Sequence, residues 1–158
     1  MHFALPSLLM VLITLTSAFA RVTNITFPAG AVVGTTIQLN IHESGYIQNW
    51  DDLGILVGFG SPDQLKNYKA CVGATGQYYT NLYHNSTLLG NNTARPSNFD
   101  LVVPVPSGLN TSILWRITAA VPYVVGASGL TSVQYFNRTI RIYRAPTGVA
   151  PSPAANSG

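Results

Sequence analysis

Between Leu53 and Phe59 runs a continuous apolar segment, LGILVGF, too short to pack as a helix and interrupted by Gly54 and Gly58, both poor helix residues. Ile55, Val57 and Phe59 suit a pleated, buried surface, so the segment reads as the central strand of an all-β domain. Its approach, from Tyr46 to Trp50, is aromatic and amide-rich, and Asp51-Asp52 mark the turn into the strand. Around it lie further short segments separated by turn residues. In 22–27 Ile25 and Phe27 share a face; in 35–41 Ile37, Leu39 and Ile41 do; in 99–105 Phe99, Leu101, Val103 and Val105 alternate cleanly. Segments 77–83, 112–125 and 133–143 complete a count of seven strands, with Pro122 expected to break or bend the sixth. Ser61-Pro62-Asp63-Gln64 has the spacing of a capping box, which predicts one short helix reaching about Lys69. The polar stretch 84–98 reads as a surface loop or weak edge hairpin. The fold predicted is a single immunoglobulin-like β-sandwich over 21–144, followed by a disordered Pro, Ala, Ser and Gly tail at 145–158.

The chain begins with an apolar run centred on Leu8 to Leu15, then small residues at Ala18 and Ala20, the two positions a signal peptidase reads. Cleavage is expected after Ala20, which leaves Arg21 at the amino terminus of a secreted protein. Polar residues interrupt this run before it reaches the ~20 apolar residues of a membrane span, so a spanning anchor is not expected. Only 8% of the 158 residues are charged, against about 25% in an average soluble domain, so solubility must come from neutral polar groups and sugars. The formal charge of +3 does not point to nucleic acid, because the basic residues are scattered rather than clustered.

Asn24, Asn85, Asn91, Asn110 and Asn137 each begin an Asn-x-Ser/Thr sequon, and in a secreted chain they are the expected sites of N-glycosylation. A glycan at Asn137 requires Tyr135, Thr139, Arg141 and Tyr143 to face outward and Phe136, Ile140 and Ile142 inward. Arg138 then falls on the inner phase. It must lie at the sheet margin or meet a carboxylate such as Asp100 or Asp52.

Cys71 is the only cysteine, so no internal disulfide forms; it is a buried small side chain or a thiol that links chains. His42, His84 and Cys71 have no metal-ligand spacing, and no cofactor is expected. Hydrolysis would need paired carboxylates or a nucleophile with its base. Asp51 and Asp52 point to opposite faces of an extended chain, and Glu43, Asp63 and Asp100 could meet them only through the fold. Enzyme activity is therefore not expected. The better lead is aromatic: Tyr46, Trp50, Tyr135 and Tyr143, with Tyr78, Tyr79 and Tyr83, could form an amphipathic contact surface for protein or sugar.

The order of these motifs resembles the fungal necrosis-inducing secreted protein family of small effectors. The likeness rests on Arg21-Val22, on Tyr46-Ile47-Gln48 leading through Asp51-Asp52 into the apolar strand, and on Ser86-Thr87-Leu88-Leu89-Gly90. It continues through FDLVVPVP at 99–106 and the final VQYFNRTI strand at 133–140. The resemblance implies a secreted effector that suppresses plant pattern-triggered immunity by binding host immune receptor kinases and that can induce cell death. Because kinase domains are cytoplasmic, it also implies entry into the host cell, for which the sequence shows no signal. The competing expectation is a cell-wall-associated glycoprotein that binds polysaccharide. A planar row of exposed rings would favour that alternative, and a compact patch with a desolvated centre would favour a protein partner.

Overall fold

The computed structural model describes residues 19–46, 50–66, 68, 70–82, 98–126 and 129–145. Among them nine strands form two sheets around one hydrophobic core. In chain order the strands are β1 (Phe19–Thr26), β2 (Gly30–Val32), β3 (Thr36–Tyr46), β4 (Trp50–Asp52), β5 (Gly54–Gly60), β6 (Thr75–Asn81), β7 (Asn98–Pro104), β8 (Leu114–Val125) and β9 (Leu130–Tyr143), with the single-turn helix α1 (Pro62–Leu65) after β5. The smaller sheet has the order β1-β3-β7; the larger runs β2-β9-β8-β5-β6, with β4 also paired to β8. The predicted sandwich is therefore the fold, with two more strands than the seven expected. The extra ones, β2 and β4, are three residues long and lie in stretches that read as turns.

Period-two alternation decides which side chains meet between the sheets. From the smaller sheet come Ile37, Leu39 and Ile41 of β3 and Phe99, Leu101 and Val103 of β7; from the larger come Ile55, Val57 and Phe59 of β5, with Trp115, Ile117, Ala119 and Val121 of β8. In β1 a register shift between Val22 and Asn24 lets both Val22 and Ile25 face the core, three residues apart, where strict alternation would turn one of them out. On β9 Ile140 and Ile142 are buried and Tyr135, Asn137, Thr139, Arg141 and Tyr143 are exposed, the phase expected from the sequon. Arg138 is exposed, and its Nη1 donates to the Phe27 carbonyl at 2.9 Å.

Two local expectations need correction. Helix α1 has its capping box, with Ser61 and Gln64 bonded reciprocally, but ends at Leu65 and not near Lys69. Strand β8 runs unbroken through Pro122, which pairs with Val133. The Pro122 carbonyl accepts from the Leu53 amide at 2.9 Å, so the backbone of Pro122 faces the joint between β4 and β5. Its missing N–H thus falls where the neighbouring ladder is already interrupted.

The outward phase of β5 holds Gly54, Leu56, Gly58 and Gly60. A side chain at Gly58 would meet the Val72 carbonyl oxygen at 2.7 Å, one at Gly60 would run into Leu65, and one at Gly54 would meet the Tyr79 hydroxyl at 2.7 Å. The glycines therefore let α1 and the chain after it lie directly on the sheet at one end of β5, and let the Tyr79 ring lean in at the other.

Candidate interaction face

Leu56 of β5 lies opposite Tyr79 of β6 on one side and Ala120 of β8 on the other, and Ala120 lies opposite Tyr135 of β9. All four belong to the outward phase, so Tyr79, Leu56, Ala120 and Tyr135 form one row across four strands. The end residues are open, Tyr79 at 56% and Tyr135 at 40% exposure, while Ala120 in the middle is only 5% exposed. Three strand spacings put the two tyrosines about 14 Å apart. The next row continues the apolar character with Pro122 opposite Val133, the latter also exposed. On the other side, Thr118 is buried and stands opposite Asn137, which is exposed and carries a sequon. The result is an apolar patch with an aromatic rim, a closed centre and one polar flank.

Of the four aromatics expected to form a contact surface, the structure places Tyr135 in this patch. Tyr143 is exposed on the same side of β9 but eight residues along, about 26 Å away at strand rise. The side chain of Tyr46 and all of Tyr83 lie outside the described residues. Tyr78 packs half-buried against the core. Trp50 has to be withdrawn from the surface: it is 6% exposed, stacked on Tyr123 with ring centroids 4.1 Å apart and planes at 13°, and covered on its ring by the Arg21 guanidinium at 4.1 Å. Leu56, Ala120, Pro122 and Val133 did not stand out in the sequence as contact residues. Their signal was the outward phase of β5 and β8, which is unusually apolar for a face turned to water.

Trp50 belongs to a polar seam joining the sheets. Asp52, 1% exposed, accepts from the Val22 amide of β1 at 2.5 Å through one oxygen and from the Trp50 indole N–H at 2.9 Å through the other. Glu43 of β3 is also buried and stands opposite Val22 in register, so two of the five carboxylates belong to the buried region around Val22. Both lie inside the protein. Asp51, the next residue on β4, is half-buried, Asp63 is exposed, and exposed Asp100 accepts from the Asn40 side chain at 2.8 Å.

A hollow of about 180 Å³, lined by Pro62, Leu65, Lys66, Leu114, Trp115, Arg116 and Thr139, is smaller than the roughly 300–1,000 Å³ of ordinary ligand pockets. Cys71 is half-buried, a free thiol whose sulfur accepts from the Gly73 amide at 3.3 Å. Among the described residues no three His, Cys, Asp or Glu side chains are grouped to hold a metal, and no helix is long and apolar enough to cross a membrane. Asn24, Asn110 and Asn137 are exposed; Asn85 and Asn91 lie outside the described residues.

Comparison with solved structures gives a cohesin module from a Clostridium perfringens family 33 glycoside hydrolase, 13% identical, covering 81% of this chain and 98% of that one with a TM-score of 0.36. A likeness of that strength says nothing about what this chain does. Among curated proteins no relative matches. A family model matches residues 18–141, which takes in every described strand except the last two residues of β9, and the chain accordingly belongs to the Nis1 family.

Proposed function

We propose that this protein is a secreted effector that suppresses plant pattern-triggered immunity by binding immune receptor kinases of the host, and that it can induce cell death. Family membership supports an effector-type protein, and the finer reading follows from the resemblance set out above. The observation that carries it is the patch of Tyr79, Leu56, Ala120, Tyr135, Pro122 and Val133. Aromatic residues around a desolvated aliphatic centre are the composition of a protein contact, in which a few anchors carry most of the energy. A polysaccharide reader needs a continuous stacking platform. Two tyrosines about 14 Å apart, separated by a leucine and an alanine, do not supply one. The proposed action is binding and not catalysis, a reading supported by the burial of Asp52, whose two oxygens accept from the Val22 amide and the Trp50 indole.

The test is a titration of the chain from Arg21 onward against receptor-kinase cytoplasmic domains, with insoluble cell-wall polysaccharide in parallel. Saturable kinase binding that is lost in Val133→Asp supports the proposal. Binding to polysaccharide alone would move the protein to the wall-associated class.

A further inference from the structure

Removal of a signal segment hydrolyses the Ala20–Arg21 peptide bond: one water is consumed, Ala20 leaves with a carboxylate, and Arg21 keeps an amine that takes up a proton at neutral pH. We infer that this new α-ammonium group becomes a structural cation of the seam, paired with Asp52 and lying beside Glu43. The inference rests on the reading of the chain as secreted and cleaved after Ala20.

Geometry supplies the reason. The Val22 amide donates to Asp52 Oδ2 at 2.5 Å, and the nitrogen of Arg21 is one residue earlier, so covalent geometry holds it within about 6 Å of that oxygen. Residue 21 is also fixed from its side-chain end. Its guanidinium lies 4.1 Å from the centre of the Trp50 ring. With the Gln134 amide turned to satisfy both neighbours, its oxygen accepts from Arg21 Nη2 at 3.0 Å and Nε at 3.1 Å, and its nitrogen donates to the Val22 carbonyl at 3.2 Å. The amino terminus therefore has little freedom to swing away.

Charge points the same way. The seam holds the carboxylates of Asp52 and Glu43, both buried, and the guanidinium of Arg21; Asp51 stands on the opposite face of β4. With Asp52 ionised, cleavage adds one positive charge beside it. An opposite charge within about 4–6 Å of a group favours the charged form of that group. Before cleavage, Ala20 and Phe19 continue the β1–β3 ladder opposite Gly45 and Tyr46. Processing thus exchanges two ladder positions for one ion pair at the sheet edge.

The experiment compares the chain beginning at Arg21 with one beginning at Phe19, in which the same nitrogen is a neutral amide. The α-amino group of the Arg21 form is titrated by NMR with a label at that nitrogen. The expected result is a proton held at least tenfold more tightly than by an ordinary α-amino group, whose pKa is about 7.7–8.0, and a midpoint of thermal unfolding above that of the Phe19 form at pH 6. An ordinary α-amino pKa, or equal midpoints, would overturn the inference while leaving secretion untouched. Amino-terminal sequencing of the exported protein separates the two ideas: any first residue other than Arg21 overturns the cleavage reading and the inference together.

Discussion

On the smaller sheet most outward side chains near Asn40 and His42 bond to one another, with Val102 the exposed apolar exception. Asn40 donates to Asp100 at 2.8 Å, His42 Nδ1 pairs with Asn98 at 2.9 Å, and Thr26 reaches the other ring nitrogen of His42 at 3.1 Å, giving a polar ladder across β1, β3 and β7. On the larger sheet the corresponding face is glycine, leucine, alanine, proline, valine and tyrosine. Part of it is covered from within, where α1 and the chain around Val72 lie on Gly60 and Gly58. The remainder is open at Tyr79, Tyr135 and Val133. A polar face that satisfies itself has little to gain from a partner, whereas an apolar one gains by every contact that removes it from water. The contrast therefore says where recognition should occur, even though both faces belong to one fold.

Several substitutions would break or sharpen this contrast. The largest effect is expected from Val133→Asp, which puts a charge at the edge of the open patch; partner affinity should fall at least a hundredfold, about 2.7 kcal/mol, with the unfolding midpoint unchanged. Retained affinity in a titration would mean that the patch is not the contact. Gly58→Val tests the covered part of the same face. The added side chain meets the Val72 carbonyl, and a loss of about 1–3 kcal/mol in denaturant unfolding is expected. A smaller change of opposite sign should follow from Thr118→Val, since the Thr118 hydroxyl is buried with no hydrogen-bond partner among the described residues; the near-isosteric valine should raise stability by about 1 kcal/mol. On the smaller sheet, Asn40→Ala should cost no more than about 1 kcal/mol and leave partner affinity intact. If it abolished binding instead, the assignment of the two faces would be inverted.

Much of the strand content was legible because alternation is a local property. Phe99, Leu101, Val103 and Val105 point one way whatever they pack against, and the Ser61–Gln64 box sets a helix start by itself. The short strands β2 and β4 were not legible. Three residues carry no period, and they exist because β9 and β8 present free edges to them. Trp50 was misread for a related reason. Its sequence neighbours are polar and suggest exposure, but its ring is closed off by Tyr123, 73 positions later in the chain, and by Arg21.

By itself, then, the sequence determined that the chain makes a β-sandwich, which side of each long strand faces the core, and that no disulfide supports it. Which carboxylates are buried, which aromatic is buried and which outward residues form a patch were decided only in the tertiary structure. Side-chain phase follows from the pleat of one strand. A cross-strand row such as Tyr79, Leu56, Ala120 and Tyr135 needs the pairing order and register of four strands, which contacts between residues far apart in the chain select.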